Sequence, residues 1–133
     1  MMSMLEAMLT CIALNVYHEA RSEPMAGKYA VAHVVLNRVA NDAFPDDACK
    51  VVYQGFHRGK HKCQFSWYCD GKSDVPKNET QWLYARVVAH NVIHGHHKDN
   101  TDGATHYHAN YVRPWWRKHY TQTVTHGAHI FYK

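Results

Sequence analysis

Two carboxylates stand four residues apart in NVYHEARSEP (15–24): Glu19 and Glu23, with Pro24 directly behind them. Proline pushes the preceding residue out of the α region, so a helix running into this stretch must end near residues 21–23. Leu5, Met8, Leu9, Ile12, Val16 and Ala20 recur at helical spacing upstream. At 100° per residue they form one apolar stripe, with His18 and Arg21 on the opposite face. Glu19 falls within the stripe, about 40° from its centre. An inward carboxylate in the last turn of a core helix is costly unless it is hydrogen-bonded or lines a cleft. One reading pairs it with a buried arginine such as Arg38. The other makes it a general acid. An apolar pocket disfavours the charged form, so the carboxyl holds its proton near neutral pH and can give it to a leaving oxygen. Cleavage of a glycosidic bond needs such an acid.

Other constellations could serve the same chemistry. CQFSWYCDG (63–71) mixes hydrogen-bonding groups (Gln64, Ser66, Asp70) with flat faces (Phe65, Trp67, Tyr68). Sugars have apolar faces and polar rims, so this mixture suits a carbohydrate cleft; alternatively its rings pin the loop to the core. His106 and His108, two apart on an expected strand, share one face. With His126 or His129 they could ligate zinc, but no H-E-x-x-H or paired-cysteine spacing supports that, and they read as hydrogen-bonding residues of a cleft wall. In VRPWWRKHY, Trp115 and Trp116 could stack on a sugar or close the core, and one of each is expected.

These residues need a scaffold to bring them together. Ser3 and Glu6 form the S-x-x-E pattern of a capping box, which starts the first helix. A second helix is expected from about Pro24 through AGKYAVAHVVLNRVAN; it is apolar nearly all round and therefore central. FPDDACKVVYQG predicts a turn and a short helix, and residues 55–78 a long irregular loop. Another long helix follows at ETQWLYARVVAHNVIHG, with Asn78 as candidate N-cap and Gly95 as candidate C-cap. Asn78-Glu79-Thr80 also matches a glycosylation sequon, but the cap explains it better. ATHYHA and TQTVTHGAHIFYK predict strands, the second a hairpin around Gly127. The expected class is α+β, helices first, then a small antiparallel sheet in the C-terminal third. Residues 1–133 read as one domain with neither repeat nor linker.

Composition narrows the function. The chain carries a formal charge of +4 and 46% apolar residues. The apolar share excludes a disordered chain, while the scattered basic residues give no nucleic-acid stripe. No run is long enough to span a bilayer. The N-terminal apolar stretch has no Lys or Arg before it and contains Glu6, so it is not expected to be a signal peptide. Four cysteines are too few for a disulfide scaffold; Cys63 and Cys69 could bridge a turn, but buried free thiols are expected for all four.

EARSEP…G…AVAHVVLNRV, FP…C…VVYQG, CQFSWYCDG, GATHYHA…V.P.W and the closing HGAHIFYK resemble the SleB-type cell-wall hydrolases, the spore cortex-lytic enzyme family. Five ordered blocks carry the resemblance from about residue 10 to the C-terminus. It implies a lysozyme-like catalytic domain that cleaves the glycan strands of peptidoglycan. The family's catalytic glutamate, in its E-A-R-x-E block, maps onto Glu19, while Glu23 is left to shape the helix break or cleft entrance. Ser22 stands where family members often have glycine. With no leader or separate wall-binding domain visible, a bacteriophage endolysin or virion-associated lysin is expected, made in the host cytoplasm and acting on the wall. A two-carboxylate lysozyme needs a second acid about 5–9 Å away. Its candidates, Glu23, Asp70, Asp74 and Asp102, all lie at breaks or in loops. A lytic transglycosylase needs one carboxyl, and the resemblance favours it. The expected site is therefore catalytic Glu19, with Gln64, Phe65, Ser66, Trp67, His106, Tyr107, His108 and Trp115 holding sugar. Cofactor and metal are expected to be none, and the partner is the glycan strand, met by a monomer. The alternatives are a two-carboxylate muramidase, a non-catalytic wall-binding or phage structural module, and a zinc amidase or peptidase built on His106, His108 and another histidine.

Overall fold

The structure is a computed structural model, described over residues 2–133. Four α-helices precede a three-stranded antiparallel sheet: α1 (Met4–Ala20), α2 (Met25–Val39), α3 (Ala48–Val52), α4 (Glu79–Ile93), β1 (His106–Ala109), β2 (Gln122–His126) and β3 (His129–Tyr132). The helix starts follow from their caps. Ser3 accepts the Glu6 N–H, Asp47 the Lys50 N–H and Asn78 the Gln81 N–H through their side-chain oxygens. Pro24 stands at the N-cap of α2, where its missing N–H costs no helical bond. Gly95 takes a φ of +72° just beyond the end of α4.

Helix α1 packs against α4, α2 and α3, so it is the pillar of the helical part. Its buried face joins Ile12, Val16 and Ala20 to Val31, Val34 and Val35 of α2 and to Val88 of α4. The strand order is β1-β3-β2, with Tyr107 opposite Phe131 and His108 opposite Ile130. Phe131 is fully buried and ties the sheet into the same core. Residues 55–78 are irregular apart from short 3₁₀ turns at 56–58 and 66–69.

The cysteines correct the sequence reading. Cys11 is bonded to Cys49, and Cys63 to Cys69, so none is free. Cys11 on α1 and Cys49 on α3 are 38 residues apart, but helix packing brings their Cα atoms to 5.3 Å. Sequence spacing carries no trace of that contact.

Candidate active site

Glu19 sits in the last turn of α1, one residue before the helix ends. The structure shows what holds it there. The Nζ of Lys28, itself only 3% exposed, donates to the carbonyl oxygens of Ala20, Arg21 and Glu23 at 2.9, 2.7 and 2.8 Å. A cation therefore caps the C-terminal end of α1, where the last carbonyls lack helical partners and the helix dipole is negative. Burial lowers the Lys28 pKa, and the Glu23 charge opposes this. The Glu23 Oε1 accepts the N–H of Ala128 at 2.7 Å and lies 3.6 Å from His129. Glu23 thus ties the helix break to the β2–β3 hairpin. Gly127 is required there: its φ is +55°, and a Cβ would stand 2.6 Å from Glu23 Oε1.

The partly buried Glu19 carboxylate meets β1. The Tyr107 hydroxyl donates to its Oε1 at 2.6 Å. Burial raises the Glu19 pKa, while the Tyr107 hydrogen bond and the Arg38 charge act in the opposite sense. Arg38 does not form an ion pair with Glu19. Its Nε donates to the Thr105 carbonyl, and its guanidinium stacks near Phe44 and Phe65, 4.9 and 5.1 Å from their ring centres. The pairing of Glu19 with Arg38 is therefore replaced by a neutral hydrogen-bond donor with a cation behind it. Four other acidic residues are candidates for a second carboxylate: Glu23, Asp70, Asp74 and Asp102. Of the four candidates, Glu23 is committed to the hairpin, and Asp102 is exposed beside Lys133. Asp70 and Asp74 line a separate recess next to His18.

The remaining sequence candidates divide. Gln64 and Ser66 are exposed on the 63–69 loop, and Trp115 is 77% exposed. Gln64, His106 and Trp115 line one recess of about 470 Å³, with Trp116 and Tyr120. His106 stacks on Tyr120, and burial, aided by the Arg38 charge, brings its pKa down to about 4. Phe65 is buried beneath Arg38, so it supports the site rather than offering a face to sugar. Trp67 is also buried; its Nε1 donates to Asn15 Oδ1 at 2.8 Å and its ring stacks on His18. His108 departs from the expected cleft wall. It is buried, its Nδ1–H donates to the Ala109 carbonyl, and its Nε2 accepts from the Tyr132 hydroxyl. Both faces of β1 are covered, so alternation alone could not tell which side met solvent. His18, expected on the solvated face, instead donates to the Asp74 carbonyl at 2.9 Å. Among the described residues no three His, Cys, Asp or Glu side chains converge as metal ligands. No described helix is long and apolar enough to cross a membrane.

An inward, desolvated glutamate thus stands at a capped helix end, facing a tyrosine on a short strand. A family profile described as cell wall hydrolase matches residues 22–132. The chain belongs to the cell wall hydrolase family. The catalytic domain of the germination-specific lytic transglycosylase SleB from Bacillus anthracis superposes with a TM-score of 0.76 at 30% identity, covering 95% of this chain and 93% of that one. The Bacillus cereus SleB catalytic domain gives 0.72 at 28% identity, covering 100% and 93%. The α+β, lysozyme-like fold is thus that of SleB catalytic domains. Among curated relatives, the spore cortex-lytic enzyme of Halalkalibacterium halodurans is 34% identical over 96 residues, 72% of this chain and 25% of its own length. That of Bacillus subtilis is 31% identical over 123 residues, 90% of this chain and 35% of its own. The chain therefore spans about a quarter to a third of these relatives. Lys28, Arg38 and Tyr107 lie within the profile match; Glu19 lies just before it.

Proposed function

We propose that this chain cleaves the bond between N-acetylmuramic acid and N-acetylglucosamine in peptidoglycan as a lytic transglycosylase, with Glu19 as its one catalytic carboxyl, and that this cleavage lyses bacterial cells. The observation that carries the reading is the Glu19–Tyr107 pair. Tyr107 occupies Oε1, which leaves Oε2 to hold the proton that burial favours. Protonated Glu19 gives that proton to the glycosidic oxygen, and the bond to muramic C1 breaks. The resulting carboxylate then takes the proton of the muramic C6 hydroxyl, whose oxygen closes onto C1. One proton leaves Glu19 and one returns, so water is not consumed and the ring ends as a 1,6-anhydro sugar. Arg38 supports the charged state between the two steps. The similarity to the catalytic domain of the Bacillus anthracis lytic transglycosylase SleB supports the same reading.

Gln64, Ser66, His106 and Trp115 are proposed to hold the sugar from the loop and the adjacent recess. The indole edge of Trp67 is proposed to border the chain beyond them, and Tyr107 orients the acid. His108 and Phe65 are assigned to the support of these groups. The test is Glu19→Gln, which keeps the shape and the Tyr107 contact but removes the transferable proton. Its fold should persist by circular dichroism while release of soluble muropeptides falls about a hundred- to ten-thousandfold. A variant that clears wall suspensions at the parental rate contradicts the assignment.

A further inference from the structure

Asn15 of α1 is 0% exposed, an amide sunk beside Ile12 and Val16 in the helix that carries Glu19. It stands four residues before Glu19, so both side chains project from the same face of α1. A buried amide is costly unless its oxygen and its N–H groups are matched. The oxygen is matched: Trp67 Nε1 donates to Asn15 Oδ1 at 2.8 Å. An indole N–H can only donate, so it must face the amide oxygen, and this fixes which way the amide is turned.

The Asn15 Nδ2 is thereby sent to the other side. There it is buried and has no closed hydrogen bond among the described residues. The group it acts on is the Tyr107 hydroxyl. Burial, the Glu19 charge and the bond to Glu19 raise the Tyr107 pKa well above its ordinary value; Arg38 and the Asn15 side chain, as a hydrogen-bond partner, oppose that rise. A partner that favours the phenolate is a donor to its oxygen. The Nδ2 thus reaches toward Tyr107 without closing on it.

The direction of every proton follows. Trp67 gives to Asn15, Asn15 turns its donor to Tyr107, and Tyr107 gives to Glu19 Oε1 at 2.6 Å. A hydroxyl that accepts becomes a stronger donor, so the chain is cooperative. Its polarity matters to an acid. A phenol free to turn can instead accept the Glu19 proton on Oε1, where that proton points at the tyrosine and is lost to a leaving group. A donor on the Asn15 side turns the phenol proton away from Asn15 and toward Glu19.

We propose that Asn15 is a positioning residue: its amide, oriented by Trp67, holds the Tyr107 hydroxyl with its proton toward Glu19 Oε1, so that the transferable proton of the acid sits on Oε2. The inference rests on the glycosidase reading above. New glycan ends are counted by liquid chromatography and mass spectrometry, and kcat and KM are determined across pH. Asn15→Leu is close in size and removes the donor; Asn15→Ala makes the same comparison where leucine prevents folding, as judged by circular dichroism. Either should lower kcat about tenfold while KM changes less than about twofold. The alkaline limb of kcat should move upward, because Tyr107 is then a weaker donor to the Glu19 carboxylate. In the Tyr107→Phe background the same substitution should change kcat by less than about twofold and leave the limb in place. An anchor for Trp67 alone would lower kcat equally in both backgrounds. That result, or a limb unmoved by the single substitution, overturns the role of Asn15 alone. No new ends from the parental protein overturns the glycosidase reading and this inference with it.

Discussion

At the scale of single residues, the proposed cleavage chemistry rests on Glu19 and its environment. Its inward projection could be read from the sequence, because a carboxylate breaking an apolar period is visible without coordinates. Tyr107 was legible only as a candidate on a strand; that its hydroxyl reaches a residue 88 positions away was not. The pair makes a pH prediction with a fixed sign. The acid must be protonated, so activity falls as pH rises through the Glu19 pKa. Tyr107 donates to the carboxylate and holds that pKa down against burial. Tyr107→Phe removes the donor, so the alkaline limb of kcat/KM against pH should move upward. Rates should fall less than in Glu19→Gln. A limb that stays in place, or moves to lower pH, would mean that Tyr107 does not act on the acid. His108 marks the limit of pattern reading here. Its spacing matched His106, yet its two ring nitrogens are satisfied inside the protein by Ala109 and Tyr132.

At the scale of elements, the decisive device is the end of α1. Its start and its stop were legible from Ser3, Glu6 and Pro24, each of which acts on neighbours in sequence. Lys28 shows in the sequence only as a lysine in an otherwise apolar helix, which does not reveal its partners. It satisfies three carbonyls at the helix end that carries Glu19. Lys28→Met should therefore lower unfolding stability by about 2–4 kcal/mol in urea titrations, since a charged donor is lost and three acceptors are left to find water. A loss below about 0.5 kcal/mol would show that solvent caps the helix equally well. Glu23 also acts between elements, joining the helix break to the hairpin at Ala128. The sequence placed it at the break, but only the fold supplies the partner.

At the scale of the molecule, the division into helices followed by a small sheet was legible throughout, because caps, proline and apolar period are local. The disulfides were not, because a cross-link between α1 and α3 depends on how those helices pack. The Cys11–Cys49 bond closes a loop of 38 residues, which by chain entropy restricts the unfolded state by about 4 kcal/mol. Reduction should thus lower the melting temperature markedly, and Cys11→Ala with Cys49→Ala should make the protein far less sensitive to reductant. Unchanged melting of the parental protein in reductant would contradict a structural role for that bond. The proposed cleavage spans all three scales: one carboxyl, held at a capped helix end and facing a tyrosine, would cut the glycan without a water nucleophile. Mass spectrometry of muropeptides released from purified peptidoglycan tests it most directly. The products should carry 1,6-anhydromuramic ends, lighter by one water than reducing ends. Reducing muramic ends without anhydro ends would contradict it and would require a second carboxylate opposite Glu19.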